Sequence, residues 1–104
     1  MSNKYRIVLA CKGVPAESGA AGARDITEEF KRRPWHRHVT CEWNGSQLIL
    51  QADNDFDPSG LALVDEFSDA ISACISVGFD GDIEIVSATP LPSDVSNSST
   101  ALPG

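Results

Sequence analysis

The chain reads as an α+β sandwich: one antiparallel sheet of four strands with two helices on one face. Three observations predict this. Strand-like and helix-like stretches follow in the order strand, helix, strand, strand, helix, strand. The middle strands are separated by Asn44-Gly45, a strong short hairpin signal. The 104 residues, 41% of them hydrophobic, suit one domain with one core and leave no room for a second.

Each element has its own justification. Residues 4–12 alternate Tyr5, Ile7, Leu9 and Cys11 with Arg6, Val8, Ala10 and Lys12, the period of a half-buried strand. Gly13-Val14-Pro15 stops it. A helix follows, with Ala23, Ile26 and Phe30 as its apolar stripe, acids early and cations late, as the helix dipole favours. The helical stretch is AESGAAGARDITEEFKRR, with a start that Gly19 and Gly22 leave open against the loop GVPAESGAAGA after the first strand, and Pro34 ends the helix. Residues 35–53 form the hairpin. A two-residue loop at Asn44-Gly45 sets Val39 against Leu50, Cys41 against Leu48 and His36 against Asp53.

Asp57 is the expected N-cap of the second helix, with Pro58 in its first turn. Val64, Phe67, Ile71, Cys74 and Ile75 form its buried stripe, and Gly78 with Phe79 closes it. Asp80-Gly81 leads into a last strand, Ile83–Val86. The domain is expected over 1–88, with 89–104 a flexible Pro/Ser-rich tail. This order resembles the ferredoxin-like split βαβ arrangement over roughly residues 4–88, a likeness of fold that carries no function.

The net charge of −7 conceals a division. All eight Lys and Arg lie at or before Arg37, among four acids, giving residues 1–37 a charge of +4. Residues 38–104 hold eleven acids and no Lys or Arg, giving −11. Such asymmetry bears on partners more than on fold. No apolar run reaches the roughly 20 residues of a membrane span, and with Met1–Tyr5 running directly into a strand-like stretch no signal segment is expected. Cys11, Cys41 and Cys74 are odd in number and form no CxxC, which suits a reduced, cytoplasmic protein.

Functions common on this fold leave signatures, and these are missing. RNA-recognition motifs stack bases on aromatics of the open sheet face. Here that face carries Arg6, Val8, Ala10, Lys12, Ile49, Gln51 and Asp53, and the acidic charge repels phosphate, so nucleic acid is disfavoured. Metal chaperones need paired thiols, whereas Cys11 stands alone. Acylphosphatase-like enzymes need an arginine in the loop after the first strand, and GVPAESGAAGA has none.

The remaining constellations are local. Lys31-Arg32-Arg33-Pro34-Trp35-His36-Arg37-His38 mixes cations with an aromatic, as an anionic ligand or acidic partner would require. Cations at a helix end and contacts to the acidic half explain it structurally. His36 and His38, two apart on a strand, would share a face with Asp53 and could hold a zinc ion, though surface histidines are the simpler reading. Asp53-Asn54-Asp55-Phe56-Asp57 starts like a calcium loop but fails at Pro58 and Val64, where the pattern needs Gly and a carboxylate. Cys41 and Cys74 fit the core, and Cys11, at a strand end, is the candidate reactive thiol.

The expectation is therefore a non-enzymatic protein-interaction or regulatory module without cofactor. Its interaction residues would be Arg32, Arg33, Trp35 and Arg37 on one side and Asp65, Glu66 and Asp69 on the other. A protein partner or self-association, through an apolar sheet patch of Val8, Ala10, Ile49 and Val86, is expected, and a membrane is not. The alternative is a small anionic-ligand or metal-binding domain using Lys31–His38, with His36, His38 and Asp53 as the metal set.

Overall fold

A computed structural model describes residues 4–75 and 82–91. Its elements are β1 (Tyr5–Lys12), α1 (Ala16–Phe30), β2 (Arg37–Trp43), β3 (Leu48–Asn54), α2 (Leu61–Cys74) and β4 (Asp82–Pro90). The sheet order is β2-β3-β1-β4, and every neighbouring pair is antiparallel. The fold is ferredoxin-like α+β. Ile7, Leu9 and Cys11 of β1 and Leu48, Leu50 and Ala52 of β3 line the core face. Ile26 and Phe30 of α1 and Leu63, Phe67 and Ile71 of α2 pack onto them. Among the described residues, no helix is long and apolar enough to cross a membrane.

The helix α1 begins at Ala16, so the start that Gly19 and Gly22 left open lies at the early end of the stretch, and the part of GVPAESGAAGA from Ala16 on is helical. Its glycines serve packing instead of breaking the helix. A Cβ on Gly19 would overlap the Trp43 ring of β2, and one on Gly22 would press on Ile75. Two bare stretches of helix surface thus let an indole and an isoleucine approach the backbone.

The hairpin turns one residue later than expected. Asn44 N donates to Gln47 O, which centres the loop on Gly45-Ser46. Gly45, at φ +102°, takes the first central position, where a type II′ loop favours glycine. Asn44 Oδ1 accepts from the backbone N–H of Ser46 and Gln47 at 2.9 and 2.8 Å. Cys41 therefore faces Leu50 instead of Leu48. A slip of two positions keeps Thr40, Cys41, Glu42 and Trp43 on their expected faces.

The second helix also starts later, at Leu61, behind Gly60 in left-handed conformation at φ +82°. Asp57 still caps it from upstream, accepting from Ala62 N at 3.2 Å and Leu63 N at 2.9 Å. The expected closure at Gly78 and Phe79 lies outside the described residues. The last strand is longer than Ile83–Val86 and runs into the segment read as tail. Thr89 pairs with Arg6 and Pro90 with Tyr5.

The open sheet face differs from the expected apolar patch. Ala10 is buried on that face, because its neighbours Ile49 and Glu84 are larger and close over it. Val86 sits in the irregularity where Val8 pairs with Ser87 and Leu9 with Ile85, leaving it 58% exposed. Val8 and Ile49 remain as half-buried neighbours among Gln51, Ser87 and Thr40.

Candidate functional site

Two polar clusters flank the start of β2. The first converges on Glu66 of α2. After α1, the chain turns tightly, with Arg33 N donating to Phe30 O and His36 N to Arg33 O. That turn aims three functional groups from four successive residues at one carboxylate. Arg33 Nε lies 3.0 Å from Glu66 Oε1, Trp35 Nε1 donates to Oε2 at 3.4 Å, and His36 Nε2 lies 3.0 Å from Oε2. The Arg33 approach is an ion pair off the line of a hydrogen bond, so buried Oε1 has no hydrogen-bond donor. Arg33 also reaches Glu29 and lies 5.1 Å over the Phe30 ring, which joins α1 to α2.

His36 is the centre of this cluster, and its side chain is fully buried. Asn54 Oδ1 accepts from Phe56 N and Asp57 N, which orients the amide. Asn54 Nδ2 then points at His36 Nδ1, 3.3 Å away. Nδ1 must accept, so the ring is the Nε2–H tautomer donating to Glu66. Trp35 and Phe56 flank the ring at 6.0 and 5.7 Å, and both stay about half exposed. A depression of about 200 Å³ on the other side is lined by Thr27, Phe30, Lys31, Arg33, Pro34, His36 and Val39.

The second cluster lies on the open sheet face. Arg6 Nε and Nη2 grip the two oxygens of Asp53 at 2.9 Å each, and His38 Nδ1 lies 3.0 Å from Oδ2. Burial pushes the Asp53 carboxyl upward, but the bonds from Arg6 and His38 outweigh it and hold the group below its ordinary range.

The sequence-predicted zinc set is therefore not assembled. His38 touches Asp53, while His36 lies with Glu66 and Asn54. The cause is the irregularity between Arg37 and Thr40, where His38 adopts φ +53° and the two-residue period fails. Among the described residues, no three His, Cys, Asp or Glu side chains are grouped to hold a metal ion. The calcium-loop likeness dissolves in the same way, since Asp53 grips Arg6 and Asn54 and Asp57 bind backbone N–H groups.

The remaining expected residues separate. Arg33, Trp35 and Glu66 come together, whereas Arg32 and Arg37 stand exposed beside them in sequence, and Asp65 and Asp69 face solvent on α2. Glu66 carries a signal in the sequence. It lies three residues after Leu63 and four before Ala70, so a helix places it at the edge of the buried stripe. The Asn54–His36 contact had only a faint signal, an Asx-type Asn54 three residues before Asp57.

The candidate thiol is closed off. Cys11 is fully buried, and burial, with Asp82 adding to it, pushes its thiol up to about 11. Burial and the neighbouring Cys11, Cys74 and Glu42 push Cys41 up to about 12. Neither offers a thiolate near neutrality.

Compared with known proteins, the chain matches no family model, no curated protein and no solved structure.

Proposed function

We propose that the chain is a protein-interaction module that docks a partner through the aromatic pair Trp35 and Phe56. The observation that supports this is the mounting of that pair. Two large side chains, 50% and 47% exposed, have their ring centroids 6.0 and 5.7 Å from a buried imidazole held by Glu66 and Asn54. Exposed aromatics on a rigid base lose little entropy on binding and dominate many interface hot spots. Asp65 and Asp69 are exposed on α2, before and after Glu66 in sequence, and neither has an ion-pair partner among the described residues. A partner with an apolar tip beside basic residues would match both parts.

The small anionic-ligand reading of Lys31–His38 is less well supported, because Arg33 and His36 are already committed to Glu66. Affinity capture from the source cells tests the docking surface. Wild type is compared with Trp35→Ala/Phe56→Ala, with Asp65→Asn/Asp69→Asn, and with Val86→Ser on the sheet face. Partners retained by Val86→Ser and lost by both of the other variants are expected. A set of captured proteins indifferent to the aromatic pair would overturn the assignment.

A further inference from the structure

His38 is the one non-glycine residue with positive φ among the described residues, at +53°. A residue with a Cβ holds that conformation at a cost of roughly 1–2 kcal/mol, and such outliers gather at functional sites. Here the distortion swings the ring of an edge-strand residue over Asp53. The Asp53 side chain is only 5% exposed and is clamped from the other side by both Arg6 nitrogens. An ionised carboxylate only accepts, so His38 Nδ1 carries the proton and Nε2 keeps the free lone pair. The His38 side chain is 73% exposed.

The surroundings select the kind of electrophile that Nε2 would meet. Arg37 lies opposite Asp53 in the strand register, is exposed, and has no ion pair among the described residues. The Arg6 side chain is 42% exposed beyond its grip on Asp53. One guanidinium gripping the carboxylate and a second cationic residue opposite it in the strand register disfavour a metal cation and favour a donor that arrives as an anion.

We propose that His38 Nε2 is an acceptor for a phosphoryl group, so that His38 is a phosphorylation site fed by an acyl phosphate or phosphoramidate donor. With phosphoramidate, the Nε2 lone pair attacks phosphorus and an N–P bond to the ring forms. The original P–N bond breaks, and ammonia leaves with its electron pair. The Nδ1 proton stays in place, and Asp53 balances the imidazolium charge. The product places two negative charges near Arg6 and Arg37, three residues from Trp35, which ties a chemical signal to the start of β2. The proposal is independent of the docking surface and is read on different atoms.

The test is incubation of the whole chain with potassium phosphoramidate at mildly alkaline pH, with acid-labile adducts mapped by mass spectrometry. The adduct is expected on His38 and not on buried His36. Its rate should exceed that of the chain unfolded in urea by about 10-fold, a modest share of what an orienting carboxylate gives a histidine dyad. Asp53→Asn should return the rate to the unfolded value. Arg37→Gln, an exposed change that leaves the fold intact, should slow phosphoramidate while sparing the uncharged acyl donor diethylpyrocarbonate. A native rate no higher than that in urea would overturn the proposal. So would reaction with diethylpyrocarbonate alone, or an Arg37→Gln effect equal for both reagents.

Discussion

Replacing Glu66 with alanine removes the one acceptor shared by Arg33, Trp35 and His36. The three losses are unequal. Trp35 is half exposed and its 3.4 Å bond is long, so water replaces it at little cost. Arg33 keeps Glu29 within 3.6 Å and some access to solvent, so its loss is partial. His36 has no such escape, because its side chain is fully buried and its Nε2–H is left without an acceptor. An unsatisfied buried donor costs about 1–3 kcal/mol, and the weakened Arg33 bridge adds to it, for a total of about 2–3 kcal/mol. For a domain of this size each kcal/mol lowers Tm by roughly 4–8 °C, so a fall on the order of 10–20 °C is expected. Urea unfolding measures it, with Asp65→Ala, one residue away and exposed, as a control that should stay within about 0.5 kcal/mol. A Glu66→Ala loss no larger than the control's would refute the view that Glu66 holds the first connection to α2. A Glu66→Gln loss close to wild type would locate the effect in hydrogen bonding to His36 and not in the Arg33 charge pair.

Asp53 sets an acid limit. Its carboxyl is held below the ordinary value of 3.8, so its contribution is complete above that pH and is lost as pH falls through the lower folded value. Unfolding curves below about pH 4 should therefore be steeper for wild type than for Asp53→Asn, and equal slopes would contradict the Arg6–Asp53–His38 arrangement. Gly19→Ala should destabilise although alanine favours helix by about 1 kcal/mol, because the new methyl overlaps the Trp43 ring and overpacking costs about 1–3 kcal/mol. Denaturation with Trp fluorescence reads both the loss and the displaced indole, and a more stable variant would exclude the close approach. Alkylation of the native chain by iodoacetamide should reach half-exposed Cys74 first, while Cys11 and Cys41 react only on the timescale of unfolding. Early labelling of Cys11 would show a strand end more open than the sheet allows.

The architecture was legible because its carriers are periodic. Alternation in Tyr5–Lys12, the stripe of α2 and the glycine-bearing hairpin each depend on local spacing, and the sheet and helices follow from them. Boundaries moved where a single backbone conformation intervened. Gly60 in the left-handed region inserts a turn between Asp57 and its helix, and Gly45 at the first loop position shifts the hairpin by two. Neither shift changes which side chains face the core, since a two-residue slip preserves the face. The site was less legible for the same physical reason in reverse. The expectation that His36 and His38 share a face assumed an unbroken strand, and one positive φ sends the first ring into the core and the second to Asp53. The convergence on Glu66 spans thirty residues or more, so no local period could announce it.

The charge division gains a structural meaning from these contacts. Arg6–Asp53, Lys12–Glu84 and Arg33–Glu66 each join the basic first third of the chain to its acidic remainder. They are not equivalent. Lys12–Glu84 is open to water at 3.8 Å and adds little, whereas the other two each bring a largely shielded carboxylate against a guanidinium. Division along the sequence thus becomes pairing across the fold, with β1 tied to β3 and the end of α1 to α2. What pairing leaves over is lopsided. Asp65 and Asp69 stay exposed on α2, and Arg37 stays exposed beside His38, so the two proposed sites carry opposite signs. Docking at the first should weaken as salt is added, chiefly through slower association, because exposed charges act over about 10 Å at 0.1 M ionic strength. Phosphorylation at the second would add negative charge near the start of β2 and reduce the cationic side of the molecule. That added charge would make a basic partner's approach to the Trp35 surface more favourable after modification than before.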